Sequence, residues 1–339
     1  MCTAINLTAA NGDILMGRTM DFSYALEPEL YVVPAGYKYN SSLKHQCFKT
    51  QFSFIGSGQN LSPITFADGV NEAGLCAAAL YFPGYAVYDQ SEKNTSTECV
   101  AAASELVSFL LGMCASVEHA LSILSELKIV GIPDSITNSA APLHWLLADF
   151  SGRCVAIEKT CDGLNYYENN IGVLSNSPDF KWHMTNLRNY INIVPAQQKH
   201  TKWNDVCLSP FGQGAGTLGL PGDFSPTGRF VRAAWLKSHI TTPTDGWDAV
   251  IAGFHVLDNV SIPMGCVVTD RGSTDYTQYT IFYNLTSREV FFKTYDNSQI
   301  TAARLLPGSC AGDGNIQSLG GLNTPASFIY RSCGKEWNT

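Results

Sequence analysis

Charge is scarce in this chain. Asp, Glu, Lys and Arg together make up 15 % of its 339 residues, against 45 % for hydrophobic ones. That balance excludes an intrinsically disordered chain and supplies enough apolar surface for a large buried core. Basic residues are fewer than acidic ones, 21 against 29, and the net charge is −8. No Lys/Arg cluster offers the phosphate contacts that nucleic-acid binding needs, so no nucleic-acid partner is expected. No apolar run reaches 18 residues and no basic front precedes an apolar stretch. Neither a membrane-crossing helix nor a secretory signal is expected, which points to the cytoplasm and away from membranes.

Several chemical signatures are also missing. The eleven cysteines include no C-x-x-C pair, the closest two being Cys154 and Cys161. A zinc knuckle or a disulfide framework therefore has no support, and ten of the eleven read as buried, reduced thiols. None of the seven histidines falls in H-E-x-x-H or another ligand spacing. No metal or cofactor is expected. His144 and His183 read as structural or solvated. The G-x-S-x-G elbow of serine hydrolases and the G-x-x-x-x-G-K-[ST] phosphate loop are both absent. No repeat or low-complexity linker divides the chain, so one domain is expected.

What is present begins at residue 2. Cys2 is small enough for Met1 to be trimmed from in front of it. It would then carry a thiol, of free pKa about 8.5, beside an α-amine titrating near about 7.7–8. A nucleophile with its own base attached is a known catalytic arrangement. Residues 2–9 alternate as a strand, Asn11-Gly12-Asp13 is a hairpin turn, and residues 14–19 return. The returning strand carries Arg18 and Asp21 toward residue 2, where an opposite-charge pair could hold the thiolate and orient the amine.

Further on, strands are expected at 29–33 and 51–55, with 56–63 as a loop. A hairpin of 64–66 with 74–81 follows, turning through Asp68-Gly69 and Asn71-Glu72. The run LCAAALYF is apolar throughout, as in a strand buried on both faces. Helical spacing predicts helices over 97–114 and, behind Ser116 as N-cap, through 127; residues 129–142 read as a loop. Strands 143–149 and 154–158 flank Ser151-Gly152, and strands at 166–167 and 171–174 precede a helix over 180–193. Residues 209–226 hold five glycines and three prolines, an irregular stretch of the kind that usually serves function. Helices over 229–239 and 247–257, strands 277–283 and 290–295, and a weakly patterned tail from 308 complete the chain. This blocky order predicts an α+β fold of mainly antiparallel sheets, two sheets between two helix layers.

MCTAINLTAANGDILMGRTMDF resembles the N-terminus of the choloylglycine hydrolase family, the bile salt hydrolases and penicillin V acylases. ADGVNEAGLCAAALYFPGY, APLHWLLADFSG, IGVLSNSP with WHMTNLRNY, FGQGAGTLGLPGDFSPTGRFVRAAW, and TDYTQYT with YDN resemble it in the same order, over residues 2 to about 300. The resemblance implies a single N-terminal nucleophile hydrolase domain, residues 2–339, with an αββα sandwich. It implies Cys2 as the nucleophile after Met1 is removed, with Arg18 and Asp21 beside it. It also implies Asn176 from the S-N-S-P turn and Arg229 from the R-F-x-R-A helix. Arg18 would favour the thiolate, Asp21 would orient the α-amine, and Arg229 would brace the cluster. The side-chain N–H of Asn176 and the backbone N–H of Tyr81 would stabilise the oxyanion of an attacked amide. Tyr81 stands where bile salt hydrolases usually have Asn and many penicillin V acylases have Tyr. The expected substrate is therefore a small-molecule amide such as penicillin V, with a conjugated bile salt, or both, as the alternative. An acyl-homoserine lactone acylase and an inactive binding relative rank below these. Met20, Phe22, Leu61 and Leu143 are candidates to line the apolar pocket. The family is also commonly tetrameric, so a homo-oligomer is expected.

Overall fold

The computed structural model describes residues 1–43, 47–90, 99–133, 138–306 and 314–329. Its opening is the expected hairpin. Cys2–Thr8 and Ile14–Phe22 pair antiparallel, with Cys2 opposite Met20 and Thr8 opposite Ile14. At the turn, Ala9 N donates to Asp13 O at 2.9 Å and Gly12 takes φ +91°, a conformation that costs glycine little.

This hairpin is the centre of a seven-stranded sheet. Its order is Val173–Leu174, Cys2–Thr8, Ile14–Phe22, Thr274–Asn284, Glu289–Thr294 and Thr301–Arg304, with Val267–Val268 also paired to Thr274–Asn284. A second sheet has eight strands, running Gly163–Glu168, Cys154–Thr160, Leu143–Ala148, Cys76–Tyr81, Ile64–Asn71, Phe54–Asn60, Glu29–Val33 and Gln317–Gly321. Every pairing in both sheets is antiparallel.

Helices cover the outer faces. α1 (Leu106–Met113) and α2 (Val117–Leu124) lie on the second sheet, burying Leu106, Leu110, Val117 and Leu124 with Phe54, Trp145 and Val155. α3 (Phe180–Asn186) follows the S-N-S-P turn. α4 (Pro226–His239) and α5 (Gly246–Asp258) lie on the first sheet, where Phe254 meets Phe282 edge-on at 5.0 Å. The layers therefore run α, β, β, α, the α+β architecture expected. The strand Cys76–Tyr81 is buried between α1 and the other sheet, as its unbroken apolar run suggested.

Some expectations are corrected. Residues 56–60, read as loop, continue the strand Phe54–Asn60, and Ile64–Asn71 runs straight through Asp68-Gly69. The glycines there serve close approach rather than turning: a Cβ on Gly56 would lie 2.4 Å from the Asp68 carbonyl oxygen. The turn falls later, at Gly74 with φ +88°. The helix expected over 97–114 is shorter, and its residues 97 and 98 lie outside the described ones. Val100–Ala102 is instead a strand, paired in parallel with Lys128–Val130 from the stretch read as loop. Ser116 does cap α2, accepting from His119 N at 3.2 Å. The helix over 180–193 ends early and tightens into a 3-10 turn, Leu187–Tyr190. α4 starts three residues earlier than expected, because Pro226 is tolerated in a helix's first turn and Ser225 caps it. A hairpin of Thr201–Trp203 with Val206–Leu208 precedes the glycine-proline stretch. The expectation of buried cysteines fails for Cys47, Cys99, Cys161, Cys207 and Cys266, which are exposed; Cys310 and Cys333 lie outside the described residues.

Candidate active site

Register brings the site together. Side chains alternate across a strand, so Cys2, Arg18 and Met20 share the face toward the second sheet, while Thr3, Thr19 and Asp21 share the face under α4. On its other side Cys2–Thr8 pairs with Val173–Leu174, Ala4 opposite Leu174. Counting two residues further puts Asn176 opposite Cys2. Arg229 enters from the first turn of α4, where Ser225 Oγ accepts from Gly228 N at 3.1 Å. There the glycine is needed, because a Cβ on Gly228 would strike the Asp223 carboxylate at 2.5 Å. The glycine-proline stretch thus delivers the helix that carries Arg229.

On the face toward the second sheet, Arg18 Nη2 donates to Cys2 Sγ at 2.6 Å and to Met20 Sδ at 3.4 Å. Nη1 donates to Asp68 Oδ2 at 3.2 Å and Ala79 O at 3.0 Å, and Nε to Thr19 O at 3.1 Å. The guanidinium is buried, which works against its charge. Cys2 first, then Tyr279, Asp68 and Asp21, outweigh that and hold its pKa above the ordinary arginine value. Arg18 and Asp21 do not pair with each other. The two are three apart in one strand, so they point to opposite faces, and the partner of Arg18 is Asp68.

On the α4 face, Arg229 holds the main chain of the hairpin. Its Nη1 donates to Cys2 O at 2.7 Å and to Thr3 Oγ1, and Nη2 donates to Asn176 Oδ1 at 2.6 Å. Burial lowers its pKa, with Asp21 and Cys2 the foremost charges opposing that. Asp21 Oδ2 lies 3.8 Å from Arg229 Nη1, and Asp21 Oδ1 accepts from Thr277 Oγ1 at 2.6 Å. Cys2 N donates to Asn176 Oδ1 at 2.8 Å. Met1, still attached, extends the ladder: Asp21 N donates to Met1 O at 3.0 Å and the Met1 ammonium donates to Asp21 O.

Asn176 Nδ2 donates to Tyr81 O at 2.7 Å. Phe82 N donates to Pro142 O, making that pair the hydrogen-bonded one and Tyr81–Leu143 the unbonded one in the ladder. Tyr81 therefore turns its N–H and C=O together toward Asn176.

Of the candidate pocket residues, Met20 lies opposite Cys2 and Leu143 opposite Tyr81. Phe22 is half-buried at the strand end, edge-on to Tyr24 at 4.6 Å. Leu61 is exposed in the turn after Asn60.

Two partner residues escaped sequence reasoning, and two histidines read as structural or solvated are structural. Asp68 and Thr277 supply the partners of Arg18 and Asp21. His144 and His183 are both buried, and their Nε2 atoms lie 2.8 and 2.9 Å from the carbonyl oxygens of Ser175 and Asn176. A carbonyl only accepts, so each Nε2 carries hydrogen and the two histidines grip the peptide units around Asn176. Burial lowers the His183 pKa to about 4. One signal was available: the odd spacing of Arg18 and Asp21 puts them on opposite faces of a strand, so each needs a partner of its own. Nothing local marks Asp68 or Thr277 as those partners. Among the described residues no cluster of three or more His, Cys, Asp or Glu is arranged to hold a metal.

A family model described as linear amide C–N hydrolases, choloylglycine hydrolase family, matches residues 2–313. The chain belongs to the choloylglycine hydrolase family. It is an amidohydrolase acting on linear C–N amide bonds through the N-terminal cysteine nucleophile. Among its relatives is a bile salt hydrolase/transferase of Clostridium perfringens (strain 13 / Type A), 36 % identical over 89 % of this chain and 92 % of that protein. The crystal structure of the C2A mutant of the conjugated bile acid hydrolase from Clostridium perfringens superposes with TM-score 0.88 at 32 % identity, covering 98 % of this chain and all of that one. Penicillin V acylase from Agrobacterium tumefaciens superposes with TM-score 0.71 at 21 % identity, covering 90 % of this chain and 86 % of that one, a likeness of fold.

Proposed function

We propose that this family member hydrolyses conjugated bile salts, working as residues 2–339 once Met1 is removed. The observation that carries this reading is the full-length likeness to a conjugated bile acid hydrolase. The acylase reading rested on Tyr81. Tyr81 meets Asn176 through its carbonyl oxygen, an atom every residue has, so its identity discriminates little. The comparisons accordingly back the bile-salt alternative better than the acylase reading drawn from sequence.

In this reaction the Cys2 thiolate, facing the Arg18 guanidinium, attacks the amide carbon. A C–S bond forms and the carbonyl oxygen becomes an oxyanion, received by Tyr81 N–H and Asn176 Nδ2. As the C–N bond breaks, the Cys2 α-ammonium gives its proton to the leaving amine. Water then attacks the thioester, the α-amine takes its proton, and as the C–S bond breaks the bile acid leaves with the thiolate and the ammonium restored. Asp21 and Arg229 keep the amine end in place, and Met20, Phe22, Leu143 and the exposed Leu61 offer apolar surface to the acyl group.

Intact mass should show Met1 gone, and Cys2→Ala should abolish turnover of glycocholate and taurocholate. A parallel assay on penicillin V and an acyl-homoserine lactone should give lower kcat/KM. A preference for penicillin V would restore the acylase reading.

We further read the protein as a cytoplasmic homo-oligomer of tetrameric order. Its nine described cysteines are all free thiols, as in a reducing compartment. Trp203 and Val206, opposite each other in the hairpin, are exposed, as are Phe211 and Leu218 in the stretch after it, and these apolar side chains could meet another copy. Sedimentation should give a tetramer, and Trp203→Ser with Phe211→Ser should shift it toward smaller species.

A further inference from the structure

We propose that Asp68 is the positioning residue of the site, fixing the Arg18 guanidinium in the orientation that turns Nη2 onto the Cys2 sulfur. This rests on the reading of Cys2 as nucleophile. Arg18 has five N–H bonds, and acceptors lie along all three nitrogens: Thr19 O, Ala79 O, Asp68 Oδ2, Cys2 Sγ and Met20 Sδ. Asp68 is the only charged acceptor among them apart from the thiolate. Without it, Nη1 keeps only the Ala79 carbonyl, and two sulfurs, soft acceptors, are left to orient the other edge.

Asp68 is itself held on every side. Its Oδ1 accepts from Ser57 Oγ at 2.6 Å and from Tyr283 OH, and its Oδ2 accepts from Tyr279 OH and Arg18 Nη1, each at 3.2 Å. Tyr279 and Tyr283 are four apart in Thr274–Asn284, so both reach across from the first sheet. Burial, reinforced by Asp68, raises both phenol pKa values well above the ordinary one, so both stay neutral donors. The carboxylate thus locks one sheet to the other at the depth of the arginine. Asp68 lies opposite Ser57, next to a register shift between Ser57 and Gly58. The charged or titratable groups that feel Cys2 are Arg18, Arg229 and Tyr279, and the carboxylates of Asp68 and Asp21 act on Arg18 in turn. Of these, Asp68 alone pairs directly with Arg18.

The test is Asp68→Asn in the Met1-free protein, read by the pH dependence of Cys2 alkylation with iodoacetamide and by steady-state kinetics. A displaced arginine should move the alkylation midpoint up by about 1 unit. It should lower kcat about 10²-fold while KM changes less than about 3-fold. A midpoint that stays put, or moves down as expected if Asp68 only competes with the thiolate for positive charge, overturns the proposal. Should Asp68→Asn not fold, Tyr279→Phe removes a single donor from the oxygen shared with Arg18. An upward shift of about 0.3 unit is then expected, and no shift overturns the proposal. Alkylation is independent of the amide hydrolysed, so an error in the proposed substrate leaves this test intact. Turnover surviving in Cys2→Ala would instead refute the nucleophile.

Discussion

The two faces of the opening hairpin treat Cys2 differently. The face toward the second sheet touches only its side chain: Arg18 reaches the sulfur and Asp68 stands behind. The other face touches only its main chain. Arg229 takes the carbonyl oxygen, and Asp21 and Thr277 back it up. Asn176, at the open edge of the strand, takes the nitrogen. In the proposed reaction Cys2 serves as both nucleophile and base, and its two reactive atoms then need to be governed separately. A strand does this without further machinery, because side chain and main chain point in perpendicular directions.

That contrast can be broken by experiment. Arg229→Ala should have the largest effect on stability. It leaves Asp21 buried with only hydroxyl partners, and losing one member of a buried pair costs about 3–5 kcal/mol. Urea unfolding measures this. If the surviving fold shows a shifted alkylation midpoint for Cys2, the two faces are not separate. Asn176→Ala should lower kcat about 10²–10³-fold, as for loss of one oxyanion donor, and should also cost about 1–3 kcal/mol of stability, because Cys2 N and Arg229 Nη2 lose their buried acceptor. A loss confined to KM would place Asn176 in binding instead.

Acid should loosen the grip on Asn176. The His183 pKa is about 4 in the folded protein, against an ordinary 6.5. Between those values the unfolded chain binds a proton that the folded one does not. Stability is therefore complete above about pH 6.5 and falls as pH drops toward 4, by at most ~3 kcal/mol from this group. Unfolding at pH 7 and 4.5 should show the loss, and His183→Gln should remove most of that slope. The smallest effect is expected for Thr277→Val, which deprives Asp21 of one hydrogen bond and should cost about 1–3 kcal/mol. A neutral result would mean that Thr19 and Arg229 suffice for that carboxylate.

Much of this was legible in the chain. Alternation and the Asn11-Gly12 turn place the hairpin, and motif likeness picks out Asn176 and Arg229, which no local pattern ties to residue 2. The irregular 209–226 stretch, expected to serve function, is seen to lead into α4. What stayed hidden depends on contact across layers. Asp68 looked like part of a turn because Asp-Gly usually is one, and only the close approach of Gly56 shows why a strand needs glycine there. The pairing of Arg18 with Asp21 was excluded by their odd spacing. Their partners, Asp68 and Thr277, come from strands distant in sequence. His144 and His183 look like ordinary core residues until the carbonyls they hold are seen.

The turn at Asn11-Gly12-Asp13 lies exposed and touches none of the site residues described. It nevertheless sets which residue of the second strand faces Cys2. One extra codon inserted there, if the strands slid by one place, would swing every side chain of one strand to the opposite surface. Arg18 would then be aimed at α4 and Asp21 at the sulfur, exchanging attraction for repulsion with every amino acid of the site still encoded. The gene's tolerance for lengthening at this loop is therefore a measure of catalysis, and a length scan there would read it without mutating a single site residue.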